Sequence, residues 1–435
     1  MQDTRAERYT NPLAAIAAIM ASLAIALAVL ALAPRMVAAQ DAPATPLRLL
    51  GEFIYPYGTT FQGLPVGELS GITYDQRRGV YYAVADERSM ARFYTLAIDL
   101  GPQGIRDVRV TGMTLLDSDA AAPGIQPHER DDSDLEEIVL LPNGDLLISS
   151  ERDRNNVPWI RRYRLDGTLL SELPLPAKFL PAADRGVRRN LAFEAMTASP
   201  DGATLLVANE QALAQDGPLA TPDHGTNVRV LRYDLRGAPR PGSELVYVTE
   251  RIFARPEPPG ADADNGVTAL LWVRHLLPPF DALALERSFV TGTGNGVRIF
   301  GITLAGAEDV SGLEALPFPF TGRTVTKTLL LDLRTAGILP DNLEAMTLGP
   351  RLPNGNPTLI VVSDDNLRET QRNQVLLFEI DVRRGLPRTG SGPDWLLPAG
   401  GTAVAAVLAG LGLRRAGRHR MARRSLGWRG LRRAM

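Results

Sequence analysis

Acidic residues recur along this chain at two fixed places in a repeated apolar pattern. The first set is Glu136, Glu194 and Glu344, each one residue into a short apolar run; Ser70 and Gly266 hold that place in two further copies. The second set is Glu87, Glu151, Glu210, Glu286 and Asp365, each where a following β-rich run ends, with Arg88, Arg152 and Arg287 directly after three of them. Carboxylates gathered in a ring would suit a hard cation such as Ca²⁺, which takes about six to eight oxygen ligands. Neighbouring guanidinium groups could hold a phosphate or carboxylate against that ion. Glu136, Glu194, Glu344, Arg88, Arg152 and Arg287 are therefore the candidate catalytic residues. Glu87, Glu136, Glu151, Glu194, Glu210, Glu286, Glu344 and Asp365 are the candidate metal ligands. The plain alternative is that such acids cap turns or pair with an arginine of the next repeat. Acids at the starts of otherwise apolar strands are costly to bury unless paired or ligated, which favours a functional set. The run His128-Glu129-Arg130-Asp131-Asp132-Ser133-Asp134 could add ligands or form a solvated loop.

The elements that carry these residues repeat. Leu69-Ser-Gly-Ile72 leads to Tyr81–Arg88, and Leu135-Glu-Glu-Ile138 leads to Leu146–Arg152. Phe193-Glu-Ala-Met196 leads to Leu205–Glu210, and Leu343-Glu-Ala-Met346 leads to Leu359–Asp365. A weaker copy runs from Gly266-Val-Thr268 to Leu283–Arg287. Three copies turn through Pro142-Asn-Gly144, Pro200-Asp-Gly202 or Pro353-Asn-Gly355, strong hairpin chemistry. Another strand-like piece follows each hairpin, so the unit is a small antiparallel sheet of three or four strands. Such sheets bury both faces only by stacking on one another. Radial stacking predicts an all-β fold, a β-propeller of about five to six blades. The residues before Leu69 and after Gly296 leave room for a sixth blade completed by both termini. In this arrangement both acid sets fall on one face, at one mouth of the central channel.

The ends read differently. Residues 1–39 hold Arg5 and Arg8, an apolar run from Leu13 to Ala33 and the small-residue exit Val37-Ala38-Ala39. These are the parts of a cleaved secretory signal, with an uncleaved anchor as the alternative; either exports the rest. Leu386-Pro-Arg-Thr-Gly390 lies in a linker, 383–395, ahead of an apolar segment, 396–413, and an arginine-rich tail, 414–435. This order resembles the cell-wall sorting signal read by sortases. The resemblance implies a transpeptidase partner that cuts after Thr389, with the membrane as a partner through the apolar helix before processing. A transmembrane helix with a basic cytoplasmic stop is the simpler reading of the same segment.

Composition narrows the function classes. The net charge is −2, and the tail's nine arginines stand without any acid to offset them, so the body is acidic. That argues against nucleic acid as a partner. There is no cysteine, which excludes disulfides, thiolate metal sites and a cysteine nucleophile. His128, His224 and His275 lack metal-ligand spacing, and no Gly-x-Ser-x-Gly elbow occurs. Lysine stands only at Lys178 and Lys327, read here as a bias of composition.

The motifs Leu69-Ser-Gly-Ile-Thr-Tyr-Asp75, Asp134-Leu-Glu-Glu-Ile138, Ser150-Glu-Arg152, Phe193-Glu-Ala-Met196 and Asn342-Leu-Glu-Ala-Met-Thr347, in that order, resemble the phytase-like esterase domain family. The resemblance covers roughly residues 48–382, within a domain expected over 40–382, and implies a propeller related to calcium-dependent β-propeller phytases. It further implies a surface hydrolase of phosphate or carboxylate esters, acting on a small anionic ester, with Ca²⁺ as cofactor. The Lys-rich phosphate pocket of a phytase is missing here. A non-catalytic surface binding or adhesion propeller with structural ions is the alternative.

Overall fold

The structure, a computed structural model, describes residues 45–383 apart from 89, 102 and 103. The expected signal segment, sorting motif, apolar segment and basic tail lie outside the described residues. Among the described residues no helix is long and apolar enough to cross a membrane. Among the described residues helix is confined to two single 3₁₀ turns, Ala177–Phe179 and Ala214–Asp216.

Strands form five four-stranded antiparallel sheets. Blade I is β4 (Leu69–Asp75), β5 (Val80–Ala85), β6 (Arg92–Gly101) and β7 (Gly104–Leu115). Blade II is β8 (Leu135–Leu140), β9 (Leu146–Ser150), β10 (Trp159–Tyr163) and β11 (Leu169–Glu172). Blade III is β12 (Ala195–Ala198), β13 (Thr204–Ala208), β14 (Asn227–Asp234) and β15 (Arg240–Val248). Blade IV is β16 (Ala263–Trp272), β17 (Ala282–Val290), β18 (Gly294–Thr303) and β19 (Thr326–Asp332). Blade V is β20 (Leu343–Gly349), β21 (Thr358–Ser363) and β22 (Asn373–Ile380), completed on its outer edge by β1 (Leu47–Tyr55). A two-stranded piece, β2 (Thr60–Phe61) with β3 (Leu64–Pro65), leads into blade I.

The propeller therefore has five blades, and the sixth that the sequence left room for does not form. Residues before Leu69 supply β1, which pairs from Leu47 opposite Ile380 to Tyr55 opposite Asn373. Residues after Gly296 complete blade IV as β18 and β19. Closing the last sheet with the first strand ties the two ends of the domain together and leaves no open gap in the ring.

Stacking follows from the sequence pattern. Each blade is apolar on both faces, and five core clusters fill the five blade interfaces, the last joining blade V to blade I. The innermost strands β4, β8, β12, β16 and β20 touch in ring order and line a central channel. The predicted hairpin turns are present; Gly144 (φ 94°) and Gly202 (φ 67°) hold the left-handed conformation that their turns require. Both lysines are structural. The Lys178 ammonium donates to the Leu313 carbonyl at 3.0 Å and pairs with Glu244 at 3.4 Å. That ammonium joins the buried Asp216–Arg229–Glu244 network, which fastens the long β18–β19 loop to blade III. Lys327 pairs with Glu250 and Glu286 at 2.9 and 2.8 Å.

Candidate functional site

The inner strands do not run straight into the channel. In β4, β8, β16 and β20 the ladder slips, leaving Ser70, Glu136 with Glu137, Thr268 and Glu344 as bulged residues. A bulge re-aims side chains without ending a strand. Two bulges hold hydroxyls that close the ring: Ser70 donates to the Leu135 carbonyl at 2.7 Å, and Thr268 to that of Leu343 at 3.5 Å. Thr268, not Gly266, is thus the blade IV counterpart of Ser70. Gly266 has another use, since a Cβ there would meet Glu210 Cγ at 2.4 Å. The remaining bulges, with Glu194 just ahead of β12, deliver acids to one mouth.

The second set is placed by a repeated backbone bond from the end of the second strand to the residue ahead of the first. Asp86 N donates to Glu68 O at 3.0 Å, and Glu151 N to Asp134 O at 2.8 Å. Glu210 N donates to Ala192 O at 2.7 Å, and Asp364 N to Asn342 O at 3.0 Å. The acids that enter the mouth are therefore Asp86 and Asp364 in blades I and V, one residue before the expected Glu87 and Asp365. Glu87 stands at the rim and pairs with Arg92 at 2.9 Å, while Asp365 accepts the Glu68 N–H at 2.9 Å. Glu286 is elsewhere. It lies inside β17, which continues to Val290, and accepts from Tyr247 Oη at 2.6 Å, Glu250 N at 2.8 Å and Lys327 Nζ at 2.8 Å.

The result is a well of about 1080 Å³ at the upper mouth. Carboxylate oxygens of Asp86, Asp134 and Glu136 lie within 4.8 Å of one another, as do those of Glu136, Glu151 and Glu194. The two trios share Glu136. Asp86 keeps one buried oxygen with no hydrogen-bond partner. An all-oxygen donor set with Ca²⁺–O bonds of about 2.3–2.6 Å can span such separations.

Arg287 faces the trios from blade IV. Its Nη2 reaches Glu344 at 3.1 Å and Glu210 at 3.2 Å, and its Nη1 reaches Asp264 at 3.3 Å. Arg152 pairs with Asp134 and donates to Asn190 Oδ1 at 3.0 Å; Arg88 pairs with Asp131 at 2.9 Å. Of the predicted residues, the structure brings together Glu136, Glu194, Glu344, Glu151, Glu210, Arg88, Arg152 and Arg287. It adds Glu68, Asp86, Asp134 and Asp364. Asp134 closes the acidic run noted in the sequence; Asp86 and Asp364 had no signal beyond standing beside a residue that was chosen, and Glu68 had none.

The electrostatics of the well record burial and the crowding of acids. Burial, then Glu194, Glu151, Asp134 and Asp86, pushes the Glu136 carboxyl well above its ordinary range. Burial and Glu151 do the same to Glu194. Burial raises Glu151 to about 7 against the Ala192 N–H, and Glu210 to about 8 against Arg287. Glu68 rises to about 7, through burial first and then Glu87 and Asp365. Burial works against the Arg287 charge, and Asp264, Glu210 and Glu344 outweigh it. Several of these acids therefore hold protons at neutral pH, which a bound cation would displace.

The opposite, lower mouth is a smaller cavity of about 430 Å³, walled by Ile72, Met196, Leu270 and Met346, with Thr197 and Glu137 among its polar groups. His128, which opens the acidic run noted in the sequence, belongs to neither mouth: it is buried and stacks on Trp159 with ring centroids 5.8 Å apart.

Among solved structures, the Malassezia sympodialis allergen Mala s 1 is 11% identical with TM-score 0.36, covering 78% of this chain and 85% of that one. The Dos1 propeller is 8% identical with TM-score 0.30, over 73% and 69%. Kuenenia stuttgartiensis hydrazine synthase is 12% identical with TM-score 0.30, over 72% and 62%. No curated protein matches the sequence. The family model described as "Phytase-like: Esterase-like activity of phytase" matches residues 64–367, most of the domain that holds the carboxylate well, and the chain belongs to that phytase-like family.

Proposed function

We propose that the upper mouth is a cation-dependent hydrolytic centre for anionic esters, phosphate or carboxylate. The observation that carries this reading is the pair of carboxylate trios sharing Glu136. Asp86, Asp134, Glu136, Glu151 and Glu194 would hold one or two hard cations, with Ca²⁺ the natural choice for an all-oxygen set. A bound cation would supply charge to polarise the ester and to acidify water. The chain's own groups frame that chemistry. Arg88 and Arg152 stand on the rim, where their N–H groups can orient the anionic end of an ester. Arg287 keeps Glu210 and Glu344 in place, a positioning role rather than contact with substrate.

The rival is a binding propeller with structural ions, favoured by the pairing of both Arg287 Nη groups with acids. Release from a generic phosphomonoester and a short acyl ester, measured with Ca²⁺ and with EDTA, separates the two. Calcium-dependent turnover supports the hydrolytic reading; tight Ca²⁺ binding with no turnover on either ester supports the rival.

The Leu386–Gly390 motif, the apolar segment and the arginine tail support export and attachment to the cell wall through Thr389. Wild-type protein should then resist detergent and be released by wall-degrading enzymes, and Thr389→Ala should extract with the membrane. Equal detergent extraction of both would leave only a transmembrane anchor.

A further inference from the structure

The wall of the carboxylate well is not uniform. Acids and arginines fill it on the side of blades I and II, whereas Phe289, Leu339 and Pro340 stand in it where blade IV meets blade V. Strand geometry puts Phe289 there. β17 pairs with β18 without a slip from Ala282 to Val290, so its side chains alternate between two faces. Leu283 and Leu285 enter the core shared with blade V, while Ala284 and Glu286 turn to blade III. Phe289 falls on the blade V face, two residues past Arg287, which reaches Glu344 of β20. Leu339 comes from that same blade, in the segment that leads into β20. Neither side chain is exposed through a loose backbone. The Phe289 N–H donates to Asp264 Oδ1 at 2.9 Å, and the Leu339 carbonyl accepts from Arg372 Nη2 at 3.0 Å and Gln374 Nε2 at 3.1 Å. Yet Phe289 is 38% exposed and Leu339 68%. Single exposed apolar side chains are ordinary on a protein surface. Two of them, held on fixed backbone in the wall of one well, are what a site for an apolar group requires.

We propose that Phe289 and Leu339 form an apolar ledge that receives the aromatic alcohol portion of an ester, so that preferred substrates are aryl esters. The anionic group would lie over the acids and the ring on the ledge. The inference rests on the hydrolytic reading of the well for the word substrate, and on the ledge alone for binding of the ring. A ring against Phe289 gains from aromatic geometry as well as from the area it buries. A sugar or polyol phosphate would leave the ledge wet and gain nothing from it.

The probes are 2-naphthyl phosphate and phenyl phosphate, which carry the same anionic group on similarly acidic alcohols and differ by one aromatic ring. With Ca²⁺ present they are compared by KM, or by Kd where neither is turned over. Wild type should favour the naphthyl ester roughly tenfold, with kcat nearly equal for the two. Phe289→Ser/Leu339→Ser should bring that ratio to within about twofold, because the apolar area is gone. Phe289→Leu/Leu339→Met keeps apolar area and should keep most of the preference. Leu329→Ser, at an exposed position on the outer strand of the same blade, should leave the ratio unchanged. Ca²⁺ affinity and melting temperature should match wild type throughout, since neither ledge residue supplies an oxygen ligand. Equal binding of the two esters to wild type, or binding of neither, overturns the ledge. So does a naphthyl preference that survives the serine substitutions, which would place the ring elsewhere. A ratio that falls only together with Ca²⁺ affinity or melting temperature makes the two residues structural and overturns it as well. Absence of turnover removes the hydrolytic reading, while the Kd comparison still decides the ledge.

Discussion

The two mouths of one channel are built from the same five strands and end as opposites. Glu136 and Glu137 show why. Both sit in the β8 bulge, opposite Ser149, and the extra residue sends successive carboxylates to opposite ends. Both are buried, and burial raises both well above the usual range. Their company differs. Glu136 faces Glu194, Glu151, Asp134 and Asp86, so its raised pKa records crowding that a cation would relieve. Glu137 has apolar neighbours and backbone N–H groups, so its pKa records burial alone. One perturbation, two causes: only the first marks a site where charge is meant to be met by charge.

Arg287 should give the largest effect on the acidic side. Arg287→Gln leaves Glu210, Glu344 and Asp264 facing one another without their cation. Removing one partner of a buried ion pair costs about 3–5 kcal/mol. Chemical denaturation at pH 7.5 should show that loss, and at pH 5.5, where more of these carboxyls are protonated, a smaller one. An equal loss at both pH values would mean that Arg287 acts through packing.

Glu136→Gln should come next. Because both trios share this residue, Ca²⁺ affinity should fall at least about a hundredfold, or roughly 2.7 kcal/mol. In EDTA the same variant should melt at or above the wild-type temperature, because the amide imitates the protonated acid and removes repulsion. Calorimetric Ca²⁺ titration and paired melts check both halves. Wild-type-like Ca²⁺ binding would place the cation elsewhere.

These residues also mark how far the sequence could be read. Stacked β-units were legible because hydrophobic runs and Pro-Asn-Gly or Pro-Asp-Gly turns repeat at long intervals. Which acid of a doublet turns inward was not. Asp86-Glu87 and Asp364-Asp365 offer two carboxylates each, and the choice depends on strand register. Glu286 was misplaced for a related reason: blade IV strands run past the level where the others stop, so an acid aligned with strand ends lies mid-strand. Arg287, one residue on, does reach the mouth. The blade count turned on β1, whose sequence does not announce that it closes a sheet begun some 300 residues later. Nor does composition reveal that both lysines sit in ion-pair networks.

The pH dependence should follow from the raised acids. A carboxyl whose folded pKa is raised binds a proton in the folded state that the unfolded chain releases. Its stabilising contribution is complete below the ordinary value near 4.5 and is lost as pH rises through the folded value. Glu151 and Glu68 at about 7 and Glu210 at about 8 set the window. In EDTA the melting temperature should therefore fall from pH 5 to 8. Saturating Ca²⁺ should flatten that fall, adding about 2.7 kcal/mol at a hundredfold excess over Kd. Parallel curves with and without Ca²⁺ would show that no cation takes the protons' place.

Glu137→Gln is the smallest expected change and the sharpest control. The Glu137 carboxyl accepts from Ile138 N at 2.8 Å through Oε1, while Oε2 has no hydrogen-bond partner. Burial pushes the group well above the usual carboxylate range, which favours its neutral form, and a neutral carboxyl and an amide have nearly the same shape. The amide oxygen can take over the bond to Ile138, and its NH₂ can occupy the place of the protonated oxygen. Stability should change by less than about 1 kcal/mol, with no slope between pH 6 and 8 added or removed. Ca²⁺ affinity should stay within about twofold, since nothing at the upper mouth moves. Glu137→Leu deepens the contrast: it removes the acceptor for a buried N–H and should cost about 1–3 kcal/mol, yet still leave Ca²⁺ binding alone. If Glu137→Gln instead weakens Ca²⁺ binding as Glu136→Gln does, the two mouths form one electrostatic unit, and the division between an end of crowded acids and an end with a lone buried one fails.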